Sequence, residues 1–434
     1  MSDYIFMLES SLTMDQNRVL EQVQAAAGAA GVNLFLTGGG MRDMLGGFRV
    51  RDLDFSVEGN ALKLVKPLEE QGARTLAVDE NRRSAELAFD GGVTAQVSMS
   101  RKERYAKTGA RPQVTAATIQ EDLRGRDFTV NAMALSLNRA SRGLLLDPTN
   151  GLADLGRREM RSTHPYVFYD DPARLLRLVR LGVRLSFAVE ERTRMQYDNA
   201  RGAGVQKLIP ARTLLEELRN IAAEPNPAEV MQSLDRDGLG ALFSTALTAS
   251  TLNLQGLARL EKACRLVESA NIVVVPQLAP FLLALTAKLT PKEKNGLFKA
   301  VELPKAEIDQ MRILEPRARK LEQALKSARL KKPSQVYQIL MDAPADDIVY
   351  LLGNSVERVV QERLRHYLQK YRPAMQEIAP SAWEALDGQP GTPKYHRSRQ
   401  AFLASRLDVR PRKPPAPEQE SMAPEESVAR GRMR

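Results

Sequence analysis

The sequence predicts an α+β protein in which an N-terminal α/β head is followed by an all-helical remainder. Strand-like apolar runs are confined to the first part of the chain, and after about Ala211 only helical patterns remain. The chain has 434 residues, of which 43% are hydrophobic and 27% charged. This length and composition are typical of a soluble globular protein of two to four domains, and they exclude disorder throughout.

The head begins with a helical pattern from Gln16 to Ala30, and Gly31 stands where a helix stop is expected. A triple glycine at 38–40 then connects a short apolar strand to a helix predicted over Met41–Leu45. The predicted strands are Leu34–Thr37, Leu53–Val57, Arg74–Val78, Ala85–Phe89 and Val93–Met99.

The helical remainder consists of amphipathic helices from Pro210 to Gln369, which we expect to be punctuated by prolines. Its most apolar segment, Asn271–Leu289, contains two prolines and Lys288, so it predicts a buried helix and no membrane span. The end, Arg410–Arg434, is rich in proline, glutamate and arginine and is predicted to be disordered.

A single cysteine, Cys264, excludes an intramolecular disulfide and a zinc cluster. Three histidines occur without metal-ligand spacing, which argues against a histidine-based hydrolase. Met1–Ser11 has no basic run before its apolar stretch and therefore lacks the pattern of a secretory signal. We expect a cytoplasmic protein.

The glycine turn is the first candidate phosphate site. Gly38 and Gly39 would let the backbone approach an anion closely at a helix N-terminus, with Arg42 supplying a guanidinium. Such a turn is also a common packing device.

Two carboxylates follow. Asp52 and Asp54 are separated by one residue of a predicted strand, so their side chains share a face. Two like charges this close are costly unless cations neutralise them, and carboxylate oxygens suit Mg²⁺. The alternative is a solvated strand end neutralised by Arg49 and Arg51.

The third motif, at 124–132, places Arg126 beside Asp127 and Asn131, side chains able to bind phosphate and sugar hydroxyls. A plain surface loop is the competing interpretation.

The fourth motif opens a helix with Asp171 and Arg174, which are three residues apart and present an acceptor beside a donor. That pattern matches cytosine and adenine and mismatches uracil and guanine. The alternative is a helix capped by Asp171, with Arg174, Arg177 and Arg180 on its solvated face.

These four motifs resemble, in order and spacing, those of the class II nucleotidyltransferases, the family of CCA-adding tRNA nucleotidyltransferases and bacterial poly(A) polymerases. The resemblance covers about 35–219 and implies a nucleotidyltransferase head at 1–160, a nucleotide-selecting neck at 161–220, an RNA-binding body at 221–375 and a tail domain at 376–409.

The resemblance also implies site residues. Asp52 and Asp54 would bind two magnesium ions. The nucleotide-binding residues would be Gly38, Gly39, Arg42, Arg126, Asp127, Asn131, Asp171, Arg174, Arg177 and Arg180. Gly125 and Gln96 differ from the family pattern, which has arginine at the first position and often an acidic residue at the second.

The implied reaction is template-independent addition of C and A from CTP and ATP to the tRNA 3′ end, with release of pyrophosphate. Poly(A) polymerase activity, addition of CC or of A alone, and a catalytically silent RNA-binding protein remain alternatives. The net charge of +10 predicts an acidic partner such as nucleic acid. The excess of positive charge lies after residue 160 and is densest from Arg312 to Lys332.

Overall fold

A computed structural model describes residues 4–270, 272, 278–378, 386–387, 389 and 392–408. Its α/β head and helical remainder confirm the predicted fold class. The strands are β1 (Asn33–Thr37), β2 (Leu53–Glu58), β3 (Arg74–Asp79), β4 (Ser84–Ala88), β5 (Thr94–Met99), β6 (Arg101–Arg104), β7 (Gln113–Ala116), β8 (Ala134–Ser136), β9 (Leu145–Leu146), β10 (Glu159–Met160) and β11 (Ala188–Val189).

The helices of the head and of the predicted neck are α1 (Tyr4–Ser11), α2 (Met14–Ala30), α3 (Gly38–Leu45), α4 (Val65–Glu70), α5 (Ile119–Arg124), α6 (Gly151–Arg157), α7 (Val167–Asp170), α8 (Arg174–Leu185), α9 (Glu191–Gly202) and α10 (Ala211–Ala222). Those that follow are α11 (Pro227–Arg236), α12 (Leu254–Ser269), α13 (Leu278–Leu285), α14 (Pro291–Ala300), α15 (Lys305–Lys326), α16 (Pro333–Met341), α17 (Ala345–Asn354), α18 (Arg358–His366), α19 (Arg372–Gln376) and α20 (Pro393–Leu407).

The head is built on a seven-stranded sheet of order β3-β4-β5-β2-β1-β8-β9. Strand β2 lies inside it, antiparallel to β1 and parallel to β5. Its apolar side chains, Leu53, Phe55 and Val57, alternate along the strand and are buried in the core that α2 covers. Asp54 therefore projects from the opposite face, where it lies in register with Thr37 on β1 and Gln96 on β5.

Helix α2 agrees with its prediction and shows how local sequence defines its ends. Thr13 and Gln16 form a capping box at the N-terminus, each side chain bonding the other's backbone N–H. Gly31 ends the helix at φ 65°, a left-handed conformation that glycine adopts without strain.

A single hydrophobic core joins the end of the predicted head to the helical remainder. Phe128 and Met160 are fully buried in the same cluster as Leu176 of α8 and Leu218 of α10. The parallel pairing of β10 with β11 adds backbone hydrogen bonds across residue 160. The end of the head is therefore held firmly against α8 and α10.

Proline positions explain most of the helical segmentation. Pro227, Pro291 and Pro333 each stand in the first turn of a helix, where a missing N–H costs nothing. Pro316, by contrast, lies inside the 22-residue helix α15, so the predicted break there is wrong.

The apolar segment 271–289 contains helix α13, which is largely buried; residues 271 and 273–277 lie outside the described part of the chain. Among the described helices, none combines the length and the apolar character needed to cross a membrane. The prediction for Arg410–Arg434 also falls outside the described residues.

Candidate active site

The glycine turn connects β1 directly to α3, so the glycines form the first turn of the helix and the predicted start at Met41 is three residues late. Gly38 has φ 65°, and a Cβ at this position would lie 2.8 Å from Asp54 Oδ2. The Gly39 N–H donates to the same carboxylate oxygen at 3.3 Å. The turn thus brings the helix N-terminus against β2 because residue 38 carries no side chain.

Arg42 projects from α3 and is buried. Its Nε and Nη2 donate to Asp43 Oδ1 at 2.9 and 2.8 Å, and its Nη1 donates to Asn131 Oδ1 at 2.7 Å. These bonds fix the guanidinium between the glycine turn and the third motif.

The two carboxylates differ in their surroundings. Asp54 is half-buried on β2, whereas Asp52 is exposed and precedes the strand, which begins at Leu53. Burial, and then the charge of Asp52, raise the pKa of Asp54 to about 6 even though Arg126 and Arg42 lie nearby. Arg51 does not neutralise this pair, because it binds the Ala223 carbonyl and Glu224 instead. The carboxylates therefore carry unfavourable negative charge that a cation would relieve.

The third motif surrounds the end of α5. Arg126 donates to Asp122 Oδ2 at 2.8 Å and to Ser56 Oγ at 3.0 Å. Asp127 is buried and accepts from the Phe128 N–H at 2.7 Å and from Asn131 Nδ2 at 3.1 Å. The surface-loop interpretation is wrong for Asp127, which is a buried structural link.

Burial alone would raise the pKa of Asp127, but the Arg177 guanidinium, followed by that of Arg174, holds it below its usual range. Asp127 therefore stays charged and keeps both arginines close.

The fourth motif is less exposed than a solvated helix face. Arg174 and Arg180 are buried and Arg177 is half-buried, so the solvated-stripe interpretation is wrong. Helix α8 begins at Arg174, and Asp171 accepts from the Ala173 N–H at 3.1 Å just before it.

Arg174 presents an unused donor beside Asp171. Its Nε lies 3.7 Å from Asp171 Oδ2, too far for a hydrogen bond. This buried N–H has no hydrogen-bond partner within the part of the chain that the structure describes. A buried donor is costly when unpaired, so a ligand that accepts from it would be stabilised.

All four motifs meet in one cleft of about 470 Å³. Its walls include Asp54 and every predicted nucleotide-binding residue, namely Gly38, Gly39, Arg42, Arg126, Asp127, Asn131, Asp171, Arg174, Arg177 and Arg180. Asp52 lies next to this lining, outside it. Within the described residues, no group of three or more histidine, cysteine or acidic side chains is placed to hold a metal ion.

The cleft also contains charged residues that sequence reasoning missed. Arg101 and Arg82 pair with Glu103 at 2.8 and 3.3 Å. Burial opposes the charge of Glu103, yet Arg101 and the hydrogen bond from Tyr105 lower its pKa to about 2. The run of four charged residues at 101–104 is the signal in the sequence for Arg101 and Glu103, and it forms the first strand of the β6–β7 hairpin.

A second concave surface of about 1290 Å³ lies between α13, α14 and α15, and we call it the body groove. Its apolar floor includes Phe298 and Met311, and its basic residues are Lys294, Lys299, Arg312, Arg319 and Lys320. The dense basic stretch 312–332 therefore contributes three of its side chains to this groove, while Arg317 pairs with the buried Asp347 at 2.8 Å.

Comparison with known proteins identifies the head. Residues 34–161 match the family model described as the poly(A) polymerase head domain. The chain is 29% identical over 341 residues to an A-adding tRNA nucleotidyltransferase of Aquifex aeolicus, covering 78% of this chain and 40% of that protein. It is 32% identical over 222 residues to a CC-adding tRNA nucleotidyltransferase of Deinococcus radiodurans, covering 51% of this chain and 58% of that protein.

The fold extends beyond the head. A solved structure described as a CCA-adding enzyme, apo form II, matches with a TM-score of 0.55 at 24% identity, covering 95% of this chain and 96% of that one. The chain spans 40% to 60% of the length of the first curated relatives it matches. Residues 34–161 thus match the poly(A) polymerase head domain, and the relatives that align with longer parts of the chain are tRNA nucleotidyltransferases.

Proposed function

We propose that the protein is a template-independent nucleotidyltransferase that adds C and A from CTP and ATP to the 3′ end of tRNA and releases pyrophosphate. The observation that carries this proposal is the convergence of four separate motifs on one cleft. We also propose four parts of the chain, namely a head (1–160), a neck (161–220), a body (221–375) and a tail (376–409). We further propose that the protein is located in the cytoplasm.

We propose Mg²⁺ as the metal and Asp52 and Asp54 as its protein ligands. The raised pKa of Asp54 supports this, because a bound cation would offset both burial and the repulsion from Asp52. When bound, the metal supplies charge neutralisation to the triphosphate and to the attacking oxygen. We propose two such ions, the number that the family resemblance implies.

In the transfer, the RNA 3′-oxygen forms a bond to the α-phosphorus while the bond from that phosphorus to the bridging oxygen breaks. Pyrophosphate leaves with the bonding electrons, and the hydroxyl proton passes to solvent. Arg42 and Arg126 line the cleft near Asp54, where their positive charges would stabilise the departing phosphates. The triphosphate would approach the N-terminus of α3 at the glycine turn, where Gly38 and Gly39 line the cleft.

Base selection would fall to Asp171 and Arg174. The unused Nε–H of Arg174 can donate to a ring nitrogen, and the Asp171 carboxylate can accept from an exocyclic amino group. Cytosine and adenine offer that combination, whereas uracil and guanine present a carbonyl and a ring N–H in its place. Arg177 and Arg180 stand behind this pair, on the next turns of α8.

The RNA partner would lie along the helical remainder. The body groove presents several cations around an apolar floor, as expected of a surface that binds phosphate groups without reading bases.

A second candidate, addition of A alone, is favoured by the names of the first curated relatives, which are A-adding enzymes. Poly(A) synthesis and a silent RNA-binding protein stay as further alternatives.

One assay separates these functions. The protein is incubated with Mg²⁺ and with tRNA that lacks its last three, or only its last, nucleotide; each labelled nucleotide is supplied singly and together, and the products are sequenced. Two C residues followed by one A support the proposal, whereas a single A, a C-only product, a long A run or no product each select an alternative.

Two variants test the site. Asp52→Ala should abolish addition while leaving tRNA affinity nearly intact, and Glu21→Ala on the exposed side of α2 is its control. Arg174→Ala should admit UTP and GTP. Substantial activity in Asp52→Ala, or undiminished selectivity in Arg174→Ala, would refute the assigned roles.

A further inference from the structure

Charged side chains around the cleft and one asparagine are connected in a closed circuit of ion pairs and hydrogen bonds, which we call the arginine ring. It runs from α3 through α8 and α10 to the third motif and back. Its members, in order, are Arg42, Asp43, Arg184, Glu224, Arg180, Glu217, Arg177, Asp127 and Asn131.

Glu224 is where three branches of this network meet. Its carboxylate lies 2.8 Å from Arg180 Nη1, 3.0 Å from Arg51 Nη2 and 3.8 Å from Arg184 Nε. The Glu224 side chain is 1% exposed. Its partners Arg180 and Arg184 line the cleft, whereas Glu224 lies behind them, outside the lining.

The first branch reaches the base-reading side. Arg180 Nε donates to Glu217 Oε2 at 3.1 Å, and Glu217 Oε1 lies 3.5 Å from Arg177 Nε. Arg177 in turn donates to Asp127 at 3.1 Å. Glu224 and Glu217 therefore hold the two arginines that follow Arg174 on α8.

The second branch reaches the phosphate side. Arg184 Nη2 donates to Asp43 Oδ2 at 2.5 Å, and the other oxygen of Asp43 accepts both bonds from Arg42. The orientation of Arg42 is thus tied, through one carboxylate and one arginine, to Glu224.

The third branch reaches the carboxylates. Arg51, which immediately precedes Asp52 in the chain, donates to Glu224 at 3.0 Å and to the neighbouring Ala223 carbonyl at 2.9 Å. The backbone that carries Asp52 is therefore fastened to the end of α10.

We propose that Glu224 is a positioning residue for nucleotide transfer, which sets the placement of Arg42, of Arg177 and of the Asp52 segment at the same time. This inference rests on the proposed function. A buried carboxylate that serves three guanidiniums fixes them because each planar fork has a narrow range of productive geometry. Removing its charge would leave Arg180 and Arg184 with Glu217 and Asp43 as their remaining carboxylate partners, and both guanidiniums would shift toward those partners.

The test uses Glu224→Gln, which keeps the side-chain shape and removes the charge. Its matched control is Glu216→Gln on α10, the helix that ends two residues before Glu224, because Glu216 is exposed and pairs at the surface with Arg212, at 3.2 Å. The readouts are kcat and KM for ATP and CTP, the incorporation ratio of ATP over GTP and of CTP over UTP, and circular dichroism to verify folding.

We expect Glu224→Gln to lower kcat/KM by about 100-fold, the effect of a displacement near 1 Å at the reacting groups. Both incorporation ratios should fall by at least about tenfold, whereas Glu216→Gln should match the native protein. A folded Glu224→Gln protein with unchanged incorporation ratios would overturn the proposal, because a purely structural role reduces activity without changing nucleotide choice.

A second variant keeps the inference testable if Glu224→Gln does not fold. Arg51→Met cuts only the third branch at a partly exposed residue, and it should lower kcat by about tenfold while leaving nucleotide choice unchanged. If Arg51→Met altered nucleotide choice, the third branch would not act separately from the first, and the proposal would be contradicted.

Binding of ATP and GTP without RNA, measured by equilibrium dialysis, distinguishes failure of the positioning role of Glu224 from failure of the proposed function. If the native protein extends no RNA, the proposed function fails. Glu224→Gln must then still reduce the preference for ATP over GTP in binding, and an unchanged preference would overturn the positioning role.

Discussion

The glycine turn gives a test that separates backbone strain from damage to the site. Gly38 and Gly47 have nearly the same left-handed conformation, with φ of 65° and 69°. A Cβ at residue 38 would lie 2.8 Å from Asp54 Oδ2 and 3.5 Å from Arg126 Nη1, whereas a Cβ at residue 47 meets nothing within 4 Å. Alanine at either position should cost about 1–2 kcal/mol of stability for the unfavourable φ.

Only Gly38→Ala should also impair the reaction. The new methyl group has to displace the Asp54 carboxylate by several tenths of an ångström, which weakens its bond from the Gly39 N–H. We expect a loss of about 100-fold in nucleotide addition for Gly38→Ala and less than about twofold for Gly47→Ala. Urea unfolding measures the stability of each variant, and labelled AMP transfer to a shortened tRNA measures activity. Equal activity losses in the two variants, or normal activity in Gly38→Ala, would refute the steric argument.

Three further outcomes are expected. Asp154→Ala should lower the free energy of unfolding by about 2–3 kcal/mol. The reason is that its buried carboxylate accepts from Thr129 Oγ1 at 2.8 Å and pairs with two half-exposed arginines. A loss below about 1 kcal/mol in urea unfolding would contradict this account. The pKa of Glu217 is held below its usual range by Arg180 and Arg177 against the effect of burial, so its contribution to stability is complete above about pH 4.5 and is lost as the pH falls further. Unfolding measured from pH 6 to pH 3 should therefore be less pH-dependent in Glu217→Gln, and an unchanged dependence would show that this carboxylate is not the group involved. Replacing Arg319 and Lys320 of the body groove by glutamine should reduce the slope of log affinity for tRNA against log salt by about 1–2 and spare nucleotide choice; an unchanged slope would remove the groove from the RNA-binding surface.

Local patterns were sufficient to predict the first five strands, helix α2 and its glycine stop. Each of these elements has a period or a cap that is set by its own residues. Strand β8 was missed because three residues are too few to establish a period, and its partner β1 determines its pairing.

The motifs that the sequence placed in one site do line one cleft, but the carboxylates behind them were not predicted. Glu217 lies in α10 and Glu224 lies two residues beyond its end, and glutamate normally faces solvent. They are buried because the arginines of α8 face them across the packed helices, and this is a tertiary relation that no local pattern carries. This packing of α8 against the two glutamates also accounts for Arg180. We expected it in solvent or on the nucleotide, but its guanidinium donates hydrogen bonds to the buried carboxylates of Glu217 and Glu224.

Pro316 lies inside α15, the helix that forms one wall of the body groove. Proline has no N–H to donate to the carbonyl four residues earlier, and its ring crowds that carbonyl, so a helix bends most easily at this point. Both Pro316 and Arg312, the residue whose carbonyl is affected, line the groove. The weakest point of the α15 backbone therefore lies in the wall of the body groove, between the cations Arg312 and Arg319.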